Sequence, residues 1–206
     1  MAERNRRAFG EPEQAAYYET AGWKAYYDRN WPRAFWLLVH GNRSMFRMSW
    51  PTAVGAALDT VRASIAFAPL ENNDVGRAQR FMEKFYEKAR RSLDIACDAR
   101  TLAELELDYW VVHRELAIER KDPPHQDNSE PMIYSLTRLH SALFGGSPQA
   151  MRRSAEYRAL AAVAVDRITG NYSVDIAADW CEVERCLREA YTIVKNDAGD
   201  RNGQIA

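Results

Sequence analysis

Five residues whose side chains could carry chemistry are predicted to lie on the buried faces of helices. In the segment TLAELELDYWVVHRELAIER, Glu106 and His113 fall together, two turns apart, between two apolar arcs. A carboxylate and an imidazole at such a place must be paired, hydrogen-bonded or bound to a metal, because a lone buried charge is costly. His140 and Arg158 fall on the apolar faces of two later helices. Together with Tyr109, these residues form the predicted buried polar set.

The buried polar set could support metal or haem chemistry. Glu and His side chains on facing helices hold the metals of di-iron bundles, and histidines serve as axial ligands of haem. The candidate metal ligands are therefore Glu106, His113 and His140. The sequence lacks the Glu-x-x-His pairs of ferritin-like centres and the CxxCH motif of covalently attached haem. A shared ion would require the two imidazoles to come within about 7 Å of each other.

The alternative interpretation of the same residues is a structural network. Glu106 and His113 would then bond to Arg or Tyr side chains of neighbouring helices, and His140 would be a core residue with its hydrogen bonds satisfied. Arg158 shares its face with small apolar residues, so it should pair with a buried carboxylate or reach into a cavity. The candidate carboxylates for Arg158 are Glu106, Asp59 and Asp179.

Aromatic residues are concentrated in the first third of the chain. Tyr and Trp side chains favour surfaces where one end is buried and the other meets water or a polar partner. Two faces of the first predicted helix carry them, and both faces cannot pack into one core. Part of the set is therefore predicted to line a ligand pocket or a protein interface, the alternative being packing against a second layer of helices. The candidates are Tyr17, Tyr18, Trp23, Tyr26, Tyr27 and Trp36.

A basic stripe is predicted on the second helix, opposite its apolar face. It consists of Arg33, His40, Arg43 and Arg47. Such a stripe is commonly solvated, but Arg is also suited to bidentate contacts with anions. The stripe is therefore a candidate site for a phosphate group or another acidic partner.

The elements that must position these residues are all predicted to be helices. No segment shows the period-two alternation of a strand, so we expect an all-α fold without a β-sheet. We expect about eight helices in one compact domain, residues 12–195, with a Pro-rich loop at 121–131 and disordered tails at 1–11 and 196–206. The seventh helix is expected to end at Gly170, as its C′ glycine. The predicted helices are 12–28, 31–48, 50–69, 74–96, 101–120, 131–144, 148–170 and 173–195.

Composition excludes several classes of protein. The 206 residues include 28 basic and 29 acidic side chains, so the basic excess of a dedicated nucleic-acid binder is absent. No apolar run approaches the roughly 20 residues of a membrane span, and the N-terminal arginines are not followed by the apolar core of a signal peptide. Three cysteines without CxxC spacing indicate reduced thiols in a cytoplasmic protein rather than a disulfide scaffold or a zinc ribbon.

No catalytic motif stands out in the sequence. A Gly-rich phosphate loop, a GxSxG elbow, an HExxH pair and an EF-hand loop are all absent. We therefore expect a soluble helical bundle that binds a partner protein or a small apolar ligand through its aromatic-rich N-terminal third, with no cofactor, as a monomer or a homo-oligomer. The alternative is a metal- or haem-binding oxidoreductase with a polar site around Glu106, His113 and His140, so the sequence does not decide whether the protein is an enzyme.

Overall fold

The computed structural model describes residues 9–122 and 128–203 of the chain. Over these residues the chain forms eight α-helices and no strand, which confirms the predicted fold class. None of the helices in the described part of the chain is long and apolar enough to cross a bilayer. The helices are α1 (Pro12–Tyr27), α2 (Trp31–Phe46), α3 (Trp50–Phe67), α4 (Val75–Leu93), α5 (Ala99–Glu119), α6 (Glu130–Phe144), α7 (Pro148–Thr169) and α8 (Ile176–Gly203).

Local capping signals fix where most helices begin. A side-chain oxygen of the N-cap residue accepts a hydrogen bond from the backbone N–H three residues later, which satisfies one of the free donors at a helix start. Proline also occupies the first turn of α1, α2, α3, α6 and α7, where its missing N–H has no cost. The N-cap residues that accept such a bond are Asn30, Ser49, Asp74, Asp98 and Ser147.

The end of α7 differs in one detail from the expected C′ glycine. The helix ends at Gly170 as predicted, but Gly170 is the C-cap residue with φ of −80°, and Asn171, which follows it, has the positive φ, at 61°. A Cβ at position 170 would lie 2.5 Å from the ring of Tyr172, so the glycine makes room for that ring. The assignment of Gly170 to the C′ position was therefore wrong, because Asn171 occupies that position and turns the chain.

Ordered structure extends beyond the predicted domain bounds at both ends, into the predicted tails. Phe9 makes edge-to-face contacts with Phe46 and Phe144, at centroid distances of 5.8 and 5.1 Å. At the other end, α8 begins at Ile176 and continues to Gly203, eight residues beyond its predicted end at 195. Residues 1–8 and 204–206, and residues 123–127 of the predicted Pro-rich loop, lie outside the described residues.

The eight helices form a closed ring. Each helix packs against those before and after it in the chain, and α1 packs against α8. The α1–α8 pair is antiparallel, because Glu11 at the start of α1 pairs with Lys195, whereas Lys24 near its end lies over the ring of Trp180, close to the start of α8. A ring of this kind gives each helix one face toward the interior and another toward solvent.

Buried alanines let α3 approach its neighbours closely. Ala53, Ala56, Ala57 and Ala63 are fully buried in a cluster with residues of α2, α4 and α5. Phe67, at the end of α3, joins this cluster, whereas the larger apolar residues from Trp50 to Ile65 lie on the other side of the helix. The packing of α3 therefore leaves a bulky apolar face outside the core.

Candidate functional site

The guanidinium of Arg158 lies at the centre of the ring. It forms a bidentate ion pair with Glu19, with Nη2–Oε1 and Nη1–Oε2 distances of 2.6 and 3.0 Å. The hydroxyl of Tyr191 donates to the same carboxylate, so α1, α7 and α8 meet at this point. Burial, followed by the charge of Glu19, raises the pKa of Tyr191 well above its ordinary value and keeps this donor protonated. The side chains of Arg158 and Glu19 keep only 16% and 13% of their exposure.

Glu19 is a partner that sequence analysis missed, and none of the three predicted carboxylates bonds to Arg158. Asp59 pairs with Lys88 instead, and Asp179 pairs with Arg167 at 2.6 Å. The signal was weak, because Glu19 lies 139 residues before its partner in the chain. Only the closure of the ring by α1 and α8 brings the two side chains together.

The carboxylate of Glu106 is held by two neutral donors. The hydroxyl of Tyr86 and the indole N–H of Trp110 each donate to it, both at 2.8 Å, and they use different oxygens. Burial and the neighbouring Glu106 charge raise the pKa of Tyr86 well above its ordinary value, so the hydroxyl remains a donor. Tyr86, on the neighbouring helix α4, is a partner of the kind expected for Glu106 in a structural network, whereas Trp110 lies on α5 itself.

His113 belongs to a second network, which joins α5 to α7. Its Nε2 lies 3.1 Å from Oδ1 of Asp166, whose other oxygen accepts a hydrogen bond from Arg120 at 2.8 Å. The imidazole also stacks on the ring of Tyr109, with a centroid distance of 5.7 Å and an interplanar angle of 2°. Burial raises the pKa of Tyr109, so its phenol is neutral.

His140 is fully enclosed and bonds to Ser154. The Ser154 hydroxyl lies 3.0 Å from Nδ1 of His140 and donates its single hydrogen to the carbonyl of Ala190, also at 3.0 Å. Nδ1 must therefore carry the proton and donate to Ser154. Burial, followed by the charge of Arg158, lowers the pKa of His140 to about 3. His140 is thus a neutral core histidine.

The three candidate metal ligands are not brought together. His113 bonds to residue 166 of α7 and His140 to residue 154, and twelve residues of helix correspond to about 18 Å along its axis. Both oxygens of Glu106 are already engaged in the network described above. Among residues 9–122 and 128–203, no group of three or more His, Cys, Asp or Glu side chains is placed to hold a metal ion.

The outer face of α2 joins the predicted basic stripe to the predicted aromatic set. Trp36 stacks against Trp50 with a centroid distance of 5.8 Å, and the guanidinium of Arg43 lies 3.9 Å from the centroid of Trp50. The imidazole of His40 contacts both indoles edge to face, with centroid distances of 4.5 Å to Trp36 and 5.2 Å to Trp50. The same imidazole stacks on the ring of Tyr18. Trp36 and Trp50 remain 56% and 43% exposed. We call these five residues the Trp36–Trp50 cluster.

The other predicted aromatic residues are divided among separate places. Tyr17 is exposed and extends the Trp36–Trp50 cluster through its contact with Tyr18. Tyr26 and Tyr27 are exposed together at the end of α1, and Trp23 instead packs on the buried cluster of α1, α7 and α8. Of the predicted basic stripe, Arg33 and Arg47 are exposed.

Sequence analysis missed the outer face of α3. Five large apolar residues fall within about 80° of one another around this helix, and we call them the α3 stripe. Ile65 is the most exposed of them, at 67%, and Val61 is the least exposed. The pattern was available in the sequence, because the alanines of α3 fall on one side and its bulky residues on the other. The α3 stripe consists of Trp50, Val54, Leu58, Val61 and Ile65.

Positive charge flanks the α3 stripe on both sides. From residue 31 to residue 58 the chain contains three arginines and no carboxylate. On the side of α4, the cationic groups of Arg62, Arg77 and Lys84 lie 5.9, 5.8 and 5.5 Å from the centroid of Phe81. The single carboxylate of α3, Asp59, is buried and paired with Lys88. The outer surface of α2–α4 is therefore apolar along its middle and cationic along its edges.

We find no match to this chain among known protein families, curated proteins or solved structures.

Proposed function

We propose that this chain is a binding protein and that it docks a partner protein through the Trp36–Trp50 cluster. The observation that carries the proposal is the exposure of two stacked indoles beside an Arg43 guanidinium 3.9 Å from one of them. Trp, Tyr and Arg are the residues most enriched among those that dominate binding energy at protein interfaces. Large exposed apolar patches on soluble proteins commonly mark such interfaces.

The interior of the ring supports the same conclusion from the opposite side. Glu106, His113, His140 and Arg158 each have an internal hydrogen-bond or ion-pair partner. Groups held in this way contribute to a unique packing and are poorly placed to exchange partners with a ligand. The outer surface is therefore the better candidate for recognition.

A protein fits the cluster better than a small apolar ligand does. Small-molecule sites are concave and bury most of the ligand surface. The indoles of Trp36 and Trp50 are instead exposed on the outer surface, where a second macromolecular surface can cover them together.

The proposal can be tested by site-specific photo-crosslinking in cells. A benzoylphenylalanine at position 36 should form an adduct with one protein, whereas the same group at position 134 should not. Tyr134 is a matched control because it is 62% exposed on α6 and has the guanidinium of Arg138 at 5.8 Å from its ring.

The crosslinked protein would then be purified, and its affinity measured by calorimetry. We expect Trp36→Ala and Trp50→Ala to weaken binding at least tenfold, while Tyr134→Ala stays within twofold of the unchanged chain. Equal affinities for all three variants would contradict the proposal, as would crosslinking at position 134 alone.

A further inference from the structure

We infer that the docking surface continues along the α3 stripe and that its occupant is an acidic amphipathic helix of the partner protein. This inference rests on the proposed function, because it extends the same surface and names the chemistry of what covers it. Trp50 belongs to both the Trp36–Trp50 cluster and the α3 stripe, so the two surfaces are continuous.

The α3 stripe is unusually apolar for the solvent-facing side of a helix. A helix on the surface of a soluble protein normally presents charged or polar residues to solvent. α3 instead presents only apolar side chains over an arc of about 80°, with Arg62 at its edge. The neighbouring helix α4 follows the ordinary pattern, since Arg80, Glu87 and Arg91 are exposed. The solvent-facing side of α3 therefore differs from that of its neighbour α4.

The α3 stripe is long and narrow. From Trp50 to Ile65 it extends over sixteen residues, or about 22 Å along the helix axis. It is one helix wide, because cationic side chains border it on both sides. A long and narrow apolar strip matches the single apolar face of a helix of about four turns, which is the geometry of helix-in-groove recognition.

The side chains that border the α3 stripe are mainly cationic. The outward face of α2 contributes Arg33, Arg43 and Arg47, and the side of α4 toward α3 contributes Arg77 and Lys84. Glu83 and Glu87 border the same surface depression as Arg77, Phe81 and Lys84. They lie about 60° to 100° farther round α4 than Lys84 does, on the side away from Lys88, which bonds to Asp59 of α3. Acidic residues on both flanks of the occupant would complement these cationic edges and favour its orientation.

A second copy of the chain is a poorer occupant. Packing α3 of one molecule against α3 of another would bring the cationic edges of the two copies together. Like charges placed across an interface disfavour association. We therefore expect the isolated protein to be a monomer at moderate ionic strength.

The experiment uses the full chain and three defined probes. The first is an 18-residue helical peptide, labelled with fluorescein, that carries Leu along one face and Glu on both flanks. The second has Lys in place of every Glu and keeps the same apolar face. The third is a vesicle of three parts phosphatidylcholine to one part phosphatidylglycerol. Binding is followed by fluorescence anisotropy for the peptides and by co-sedimentation for the vesicles.

We expect the Glu peptide to bind at least tenfold more tightly than the Lys peptide and to weaken as salt rises from 50 to 300 mM. Leu58→Glu and Ile65→Glu should each weaken binding of the Glu peptide at least tenfold. Leu160→Glu is the matched control, because Leu160 is exposed to about the same extent as Leu58, on the distant helix α7. Circular dichroism would confirm that the variants remain folded.

Several outcomes would overturn the inference. Equal binding of the two peptides, or binding that Leu58→Glu leaves unchanged, would show that the α3 stripe does not recognise an acidic helix. Vesicle binding that Leu58→Glu abolishes, without peptide binding, would assign the stripe to a lipid surface. A dimer in sedimentation equilibrium that Leu58→Glu dissociates would assign it to a second copy. If Trp36→Ala still weakens binding of the crosslinked partner in any of these cases, the proposed function stands. Only the extension of the docking surface along α3 then fails.

Discussion

At the centre of the ring, Arg158 is held by Glu19 from α1 and by Tyr191 from α8, whereas on the outside of α3 the side chains of Leu58 and Ile65 face solvent. The interior contains the residue types that suggest chemistry, but Glu106, His113, His140 and Arg158 are each bonded to another side chain of the protein. The outer face contains residue types that suggest a core, yet the described part of the chain leaves them half exposed. Whether a side chain already has a partner is therefore the better guide to function here.

The same comparison explains the role of the interior. An ion pair between α1 and α7 spans α8, and the pair between Asp166 and Arg120 spans α6. These contacts join helices that are not neighbours in the ring. Buried ion pairs add little net stability but penalise arrangements in which either partner is left alone. We interpret these pairs as determinants of the order and closure of the ring.

The largest effect is expected from breaking the central ion pair. Glu19→Ala leaves the Arg158 charge without its carboxylate, and we expect a loss of about 3 kcal/mol in the free energy of unfolding. Urea denaturation measures this loss. The double variant Glu19→Leu with Arg158→Met removes both charges, so its loss should be smaller than the sum of the two single losses.

A matched exposed pair sharpens this test. Arg152 and Glu130 form the same bidentate arrangement at 3.0 and 3.1 Å, but their side chains are 47% and 62% exposed. Exposed ion pairs are screened by water, so Glu130→Ala should have a much smaller effect than Glu19→Ala. Equal losses at the two pairs would show that the centre of the ring is not a distinct environment.

The second prediction concerns the pH dependence of stability through His140. Its pKa is lowered from 6.5 to about 3 in the folded protein, chiefly by burial, so between these values the unfolded chain binds one more proton. Stability must therefore fall as the pH drops below 6.5. At pH 4.5 the loss from this group should be about 2–3 kcal/mol relative to pH 7. Urea denaturation at both pH values measures this loss. Between pH 7 and pH 4.5, the free energy of unfolding of His140→Gln should fall by about 2–3 kcal/mol less than that of the unchanged chain. Equal losses for the two proteins would contradict a buried neutral imidazole.

A smaller effect is expected from the hydroxyl that connects α6, α7 and α8. Ser154→Ala removes the acceptor of the His140 N–H and the donor to the Ala190 carbonyl, and should cost about 1–2 kcal/mol. Ser135 is an equally buried control, since it donates to Asp108, which is also held by Arg138 and reaches water. Thermal unfolding of both alanine variants would compare them, and a larger loss at position 135 would argue against the interior network.

The fold was largely predictable because its signals are local. Asp74 and the Ser147–Pro148 pair marked helix starts that the structure confirms, and hydrogen bonds within a few residues produce them. The reversal after α7 was not predictable in detail. Its geometry depends on the ring of Tyr172 packing beside Gly170, which helical periodicity does not describe.

The sites were harder to predict than the helices because they depend on contacts between distant residues. The sequence placed Arg158 on a buried face and required a carboxylate partner, but nothing local distinguished Glu19 from the three candidates named for it. The convergence of His113 and His140 was equally undecided by sequence, and the structure separates their partners along α7. The α3 stripe could have been found from its spacing, because Trp50, Val54, Leu58, Val61 and Ile65 recur at helical intervals.

The smallest expected change in stability lies on the outer face, and it tests the comparison most directly. Leu58→Glu should alter the free energy of unfolding by no more than about 0.5 kcal/mol, because its side chain is already 41% exposed and the introduced carboxylate lies one turn from Arg62. Urea denaturation beside Leu160→Glu measures this change. A loss above about 2 kcal/mol would place Leu58 in the core, as removal of buried leucines does. The side chains of the α3 stripe would then be part of the core, and they would no longer differ from the interior residues in whether they already have partners.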